Sequence, residues 1–306
     1  MKRVIWVATF CMLLPAWFVW AEEKGKEDFY SQLNSAIIRL EHFVSVQQEG
    51  LPNAIKQNKP DGTAFFVKSG KGLFVVSARH VVEQPYDLHA RVECLNMKSG
   101  QKEVIFLKLP RNRWVFHSES GDKDTHPVDV AAMQIKWIKN RAIRCFSYEP
   151  PESEAKDKNQ LPSADPLPPR RILVFGFPLD IGFKLLEQRP LGRSGIIAMK
   201  TGKKFLRMNY KGVDKFAEER CYVIDVKAFP GNSGSPIMNE PSQTNPRIQL
   251  LGLLSATSQK MDFAVVEPVS RIREVLDLAR DQKNEDINFW LVIKIKTEQP
   301  YQPDAD

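Results

Sequence analysis

With 306 residues, 42% of them hydrophobic and 26% charged, the chain has an ordinary globular composition and enough length for one large core or two half-domains. The formal charge is +7, but beyond Lys2 and Arg3 the only adjacent basic pairs are Arg170-Arg171 and Lys203-Lys204, and no basic stretch is interleaved with aromatics. That argues against nucleic-acid binding and leaves at most a weak attraction to anionic surfaces.

The N-terminus reads Met1-Lys2-Arg3, then an apolar run of 17 residues from Val4 to Trp20, then Ala21-Glu22-Glu23. A basic start, an apolar centre and a small residue before a polar stretch are the three parts of a signal peptide cut after Ala21. The same run stands at the low end of the length for a spanning helix, so a retained anchor is the alternative. Either way the body of the protein is expected to be exported, in the periplasm or secreted. Of the cysteines Cys11, Cys94, Cys145 and Cys221, the first leaves with the signal, and the remaining three cannot all pair internally. None has metal-ligand spacing, so neither a metal nor another cofactor is expected.

Residues 22–34 are mostly polar and form an N-terminal arm. Ser35 to Val44 alternates Ile-Arg-Leu-Glu, as a strand does, although its periodicity also allows a helix. His42 within it reads as a surface residue, and 47–59 as a polar connection. Asp61 to Val67 and Leu73 to Ser77 are two strand-like runs joined by Ser69-Gly70-Lys71-Gly72, a hairpin turn. The second run breaks at Ser77-Ala78-Arg79-His80, which places a histidine at a strand end, on a rigid support and facing a loop. His89 to Leu95, Val104 to Leu109 and Arg113 to His117 are further strands, and Lys136 to Ile138 closes this half. Between them Asp129 is one carboxylate in the apolar run Val128-Asp129-Val130-Ala131-Ala132. A buried ionised Asp needs a partner, and an imidazole N–H suits it; a solvated Asp at a strand mouth is the plainer reading.

From 148 to 170 six prolines sit among Glu, Asp, Lys, Ser and Gln, the composition of a solvated linker. Ile172 to Phe175 and Arg193 to Ala198 are strands. Residues 202–219 form a basic insert. The apolar run Cys221 to Val226 leads into Pro230-Gly231-Asn232-Ser233-Gly234-Ser235-Pro236. By itself this is an ordinary Gly/Asn/Ser/Pro loop. Glycines bracketing a serine can also expose its hydroxyl and aim backbone N–H groups at one point, as an oxyanion hole requires. Leu250 to Thr257 and Asp262 to Val269 are strands. Val269 to Ala279 has apolar positions at helical spacing. Asn288 to Ile295 is strand-like, and the acidic tail from Glu298 has no core-forming pattern.

Signals that are weak one by one combine into a strong one. Gly-Thr-Ala-Phe-Phe-Val at 62–67, Ser-Ala-Arg-His at 77–80, Asp-Val-Ala-Ala at 129–132 and Gly-Asn-Ser-Gly-Ser-Pro at 231–236 follow in that order, with His80, Asp129 and Ser233 separated by 49 and 104 residues. The pattern resembles the chymotrypsin/trypsin-like serine peptidases, most closely their Deg-type (HtrA-like) bacterial branch, from about Ser35 to about Arg280. The resemblance implies an all-β fold of two six-stranded antiparallel barrels with a C-terminal helix. The first barrel would occupy 35–147, the linker 148–170, and the second barrel with its helix 171–282. Residues 283–306 form an extension without room for a PDZ domain. It implies a serine endopeptidase acting on polypeptides: Ser233 as nucleophile, His80 as general base, Asp129 as its orienting acid, and the N–H groups of Gly231 and Ser233 as oxyanion hole. Ser255, Ala256, Thr257 and Ala228 would line the substrate cleft, with Ser255 near Asp129.

Two residues depart from the digestive pattern. Asn232 replaces the Asp that pairs with a freshly cut N-terminus, so activation by an N-terminal ammonium is not expected. Arg79 stands beside His80 where a small residue is usual, and it is expected to point into solvent. Lys227 is read as a surface lysine, leaving a cleft for a small or apolar side chain. The competing function is a latent or inactive peptidase fold that binds or senses peptides. An α/β-hydrolase elbow is not matched, because Ser235 rather than glycine follows Gly234. Oligomeric state is not legible.

Overall fold

In a computed structural model of the chain, the apolar alternations become strands, antiparallel except where β9 (Phe146–Tyr148) pairs parallel with β2 (Ile55–Ser69), divided between two large sheets and a separate two-stranded hairpin. The structure describes residues 33, 35–46, 55–70, 72–100, 102–119, 127–136, 140–148, 170–178, 189–201, 206–210, 213–217, 221–241, 248–258, 262–280 and 290–291. The expected signal peptide, most of the N-terminal arm and most of the linker lie outside the described residues, as do His126, Trp137 and Ile138. No helix among the described residues is long and apolar enough to cross a membrane.

The first half holds β1 (Ile37–Val46), β2 (Ile55–Ser69), β3 (Gly72–Ser77), β4 (Leu88–Asn96), β5 (Lys102–Leu109), β6 (Val115–Phe116), β7 (Ala131–Ile135), β8 (Arg141–Ala142) and β9 (Phe146–Tyr148). Its sheet runs from a short strand at Trp290–Leu291 through β5, β4, β1, β2, β3 and β7 to β6, with β8 on β4 and β9 on β2. β3 is buried from Leu73 to Ser77 because it lies between β2 and β7, which explains its unbroken apolar run. Gly70, at φ 55°, turns the β2–β3 hairpin.

Three expectations change here. The connection read at 47–59 is in part strand: β2 is 15 residues long and starts at Ile55, and Lys56, Gln57, Asn58 and Lys59 pair with β1. Backbone pairing along a hairpin needs no apolar alternation, so these polar residues hid it. The strand expected at Arg113 shrinks to Val115–Phe116, since Arg111–Arg113 after Pro110 takes a 3-10 turn. The ten strands of this sheet also exceed the six expected, and among the described residues its pairings do not close.

The second half holds β10 (Arg170–Gly176), β11 (Leu191–Lys200), β12 (Leu206–Tyr210), β13 (Val213–Ala217), β14 (Tyr222–Asp225), β15 (Pro236–Asn239), β16 (Leu250–Ser258) and β17 (Phe263–Pro268). Six of these close a barrel in the order β10-β11-β14-β17-β16-β15, while β12 and β13 form a separate hairpin within the basic insert. Ile172, Tyr222, Ile224, Ile237, Leu254 and Val266 fill the barrel. β17 runs directly into the helix Val269–Arg280, whose face Ile272, Val275, Leu276 and Ala279 is buried in a core shared with the first half. The two-unit β architecture with one closing helix is therefore that of a chymotrypsin-like double barrel.

The helix is also tied to the first half by charge. Buried Arg271 donates to Glu119 at 2.7 Å and to Glu274 at 3.2 Å, and His117 Nε2 lies 2.6 Å from Glu274. Cys94, Cys145 and Cys221 are free thiols.

Candidate active site

His80 lies in the helical turn Arg79–Val82 that follows β3, so its place is set by a strand buried on both faces. Asp129 lies in the extended segment ahead of β7, the neighbour of β3. The register Ser77↔Ala131 therefore brings the two together although they stand 49 positions apart. Asp129 Oδ2 is 2.7 Å from His80 Nδ1, and Oδ1 accepts the His80 backbone N–H at 2.9 Å. This bidentate grip fixes the ring and leaves its other nitrogen as the acceptor. Asp129 is 1% exposed, whereas the His80 side chain is 37% exposed.

The electrostatics follow from that contrast. Burial pulls the His80 imidazole down from its ordinary 6.5, but the charge and hydrogen bond of Asp129 outweigh it and the net shift is upward. Burial pushes Asp129 up, and the His80 and Ser255 contacts outweigh it, so its carboxyl stays below the usual range. Arg79 is not the solvent-pointing cation expected. Its guanidinium binds Glu83 at 3.1 Å and lies 4.9 Å from the Phe116 ring centroid.

Ser233 comes from the second half, on the turn between β14 and β15. Asn232 N–H donates to Phe229 O at 3.0 Å, closing a turn with Pro230 and Gly231 at its centre; Gly231 has φ 90°, which glycine alone takes cheaply. Gly234 has φ 86°, and a Cβ there would meet Thr63 O at 2.0 Å and Ser77 Oγ at 2.5 Å. The turn is bonded across both halves. Thr63 N–H donates to Ser233 O at 3.0 Å, Thr63 Oγ1 donates to Gly231 O at 2.8 Å, and Gly234 N–H donates to Leu254 O at 2.7 Å. Within it the N–H groups of Asn232, Gly234 and Ser235 all have backbone acceptors, while those of Gly231 and Ser233 have none among the described residues. Two unmatched donors two positions apart beside a serine are the makings of an anion pocket. Ser233 Oγ itself makes one long bond, 3.5 Å to Ser255 O, rather than a bond to His80.

The remaining expected residues lie on β16 and on the segment that follows β14. Ser255 is the bulged residue in the β16–β17 pairing, between Leu254↔Val266 and Ala256↔Val265. The bulge re-aims its side chain, and Oγ donates to Asp129 Oδ2 at 2.7 Å. Ala256, Thr257 and Ala228 are half-buried, and Ala228 packs on the barrel core. Lys227 is exposed with its amine 5.8 Å from the Phe229 ring centroid, and Arg193 lies 4.4 Å from that centroid and donates to Lys227 O at 2.7 Å. His42 is not a free surface residue: Nδ1 is 2.6 Å from Asp61 Oδ2, and its ring stacks on Tyr86, whose hydroxyl donates to Asp61 Oδ1 at 2.8 Å. No cluster that could hold a metal occurs among the described residues.

Sequence reasoning missed Glu267. It is 5% exposed, and its Oε1 accepts the Asp129 backbone N–H at 3.0 Å. The signal was available, since Glu267 is a lone carboxylate in Phe263-Ala264-Val265-Val266-Glu267-Pro268-Val269, as Asp129 is in its own run.

A family model described as a trypsin-like peptidase domain matches residues 62–243, more than half of the chain. No curated protein matches. Among solved structures, the chain is similar to the HtrA-type protease AlgW with decapeptide, at 14% identity and a TM-score of 0.50, covering 82% of this chain and 68% of that one. A serine-to-alanine variant of AlgW, also with decapeptide, aligns at 16% identity and a TM-score of 0.45, covering 81% of this chain and 65% of the other.

Proposed function

The chain belongs to the trypsin-like peptidase domain family, and from that premise we propose that it is an exported serine endopeptidase. Ser233 Oγ would attack the peptide carbonyl while His80 takes its proton; the tetrahedral oxyanion would be received by the N–H groups of Gly231 and Ser233. The proton then passes from His80 to the departing amine, leaving an acyl-enzyme that water cleaves by the same route. The observation that carries this reading is the combination of a half-exposed imidazole, fixed by a buried Asp, with a serine turn whose Gly231 and Ser233 N–H groups are unmatched among the described residues. The decapeptide bound by the similar AlgW supports polypeptide substrates, and the small residues Ala228 and Ala256 favour a small or apolar side chain in the cleft. Export rests on the signal-like residues 1–21 and is checked by the N-terminal sequence of the mature protein recovered from a cell fraction.

A second reading is favoured by one distance. Ser233 Oγ rests 3.5 Å from Ser255 O and does not bond His80, as in a latent site that a ligand would tighten. Labelling with a fluorophosphonate, beside Ser233→Ala, separates the two. Label on the wild type and none on the variant supports the peptidase. No label on either, but label on the wild type after peptide is added, supports the latent form. No label under any condition refutes an active serine.

A further inference from the structure

Glu267 ends β17, and the mechanism above makes no use of it. Charged or titratable groups from three other parts of the fold face its carboxyl. Asp129, from the segment before β7, donates its backbone N–H to Oε1 at 3.0 Å. Cys221, just ahead of β14, has its Sγ 3.7 Å from Oε2. Arg271, on the helix, acts on it through space while bonded to Glu119 and Glu274 and lying 3.4 Å from His117. Burial, reinforced by the nearby Asp129 charge, raises the Glu267 carboxyl from 4.5 to about 7, against the opposing pull of Arg271 and of its hydrogen bonds. The group therefore changes charge in the range where an imidazole base works.

Geometry makes that charge matter. Asp129 is held at four points: its side chain by His80 and Ser255, its carbonyl by Arg79 N–H at 3.3 Å, and its N–H by Glu267. Two of the four holders, Ser255 and Glu267, belong to the second half, and they grip Asp129 at opposite ends of the residue. Glu267 is thus one residue removed from the imidazole, both mechanically and electrically. An ionised Glu267 places a second negative charge behind Asp129, which favours the imidazolium that forms as the serine proton moves.

We propose that Glu267 is a positioning residue of the triad, which seats Asp129 from the second half and, when ionised, supports the positive charge on His80. The proposal rests on the peptidase reading for its catalytic meaning. The full chain is compared with Glu267→Gln, which keeps an acceptor but cannot ionise, and with Glu267→Leu, which keeps neither. Two quantities are followed against pH: the His80 imidazole signal by NMR, assigned by its loss in His80→Gln, and the second-order rate of fluorophosphonate labelling at Ser233.

In the wild type, His80 titrates over a broadened, two-step range; in Glu267→Gln it titrates in one step displaced to lower pH, and the alkaline plateau of labelling falls on the order of threefold to tenfold. Glu267→Leu, with the Asp129 N–H left without an acceptor, loses more. If Glu267→Leu does not fold, the Gln variant carries the test. Titration and labelling profiles of Glu267→Gln that superimpose on wild type overturn the proposal. If nothing labels but the His80 titration still differs between wild type and Glu267→Gln, the peptidase reading fails and the coupling stands.

Discussion

Glu267 also makes a stability prediction that does not depend on activity. Its carboxyl is raised from 4.5 to about 7 chiefly by burial, so between those values the folded chain binds a proton that the unfolded chain has released. Stability must then fall as pH rises through that window, the reverse of a salt-bridged carboxylate. At about 1.4 kcal/mol for each tenfold difference in proton affinity, the full loss is about 3 kcal/mol, of which most falls between pH 5 and pH 8. Glu267→Gln removes this titration and leaves the other groups in place. Urea denaturation of wild type and variant at pH 5, 6, 7 and 8 reads it, together with the displaced titration of the coupled His80, which acts in the same direction. Relative to wild type, the variant gains about 2–3 kcal/mol on going from pH 5 to pH 8. Comparing the change with pH cancels any constant offset between an amide and a protonated acid. Parallel curves would refute the reasoning, because they would mean that Glu267 ionises near its ordinary value and is not held in a dry site against Asp129.

Ser255→Ala removes one donor from buried Asp129; it should cost on the order of 1.5–3 kcal/mol and move the rising limb of the labelling profile to higher pH, opposite to Glu267→Gln, as the less-shared carboxylate holds the imidazolium harder. A limb that does not move, or moves the same way as in Glu267→Gln, argues against this. Gly234→Ala meets fixed backbone at Thr63 O, 2.0 Å away, and a positive φ, so about 4 kcal/mol or more is lost; an unchanged denaturation midpoint would show that the turn can shift. Burial raises the Cys94 thiol to about 11 and raises Cys221 well above its ordinary value. Iodoacetamide at pH 8 should therefore leave both unmodified in the folded protein and alkylate both in urea, as read by peptide mass.

What the sequence disclosed and what it hid divide along one physical line. Strands that bury one face show themselves by side-chain pattern: Leu88–Asn96 alternates buried and open residues, and Gly72–Ser77 is an unbroken apolar run. The start of β2 is recorded only in backbone pairing, and Lys56 to Lys59 carry no trace of it. The site divides in the same way. His80, Asp129 and Ser233 stand in sequence contexts that fit their expected chemistry. Ser255 is expected near Asp129 only through the family resemblance; it reaches Asp129 at a break in the β16–β17 register, which its own sequence context does not announce. Thr63 is similarly invisible, although it bonds both Ser233 and Gly231.

Glu267 is the instructive case, because its sequence signature equals that of Asp129. A lone carboxylate in an apolar run demands a partner, and the chain supplies one histidine in a fitting context for two such carboxylates. The structure resolves the excess by giving His80 to Asp129 and the Asp129 backbone N–H to Glu267. The two acids do not compete for one cation; they stack, one behind the other, across the junction of the halves. Since His80 and Asp129 come from the first half and Ser233, Ser255 and Glu267 from the second, the constellation exists only when the two are docked. The helix holding them together carries Arg271, a cation that acts on Glu267 through space and is itself bonded to Glu119 of the first half. Loosening that docking would therefore alter the charge balance behind His80 as well as part Ser233 from His80 and Asp129.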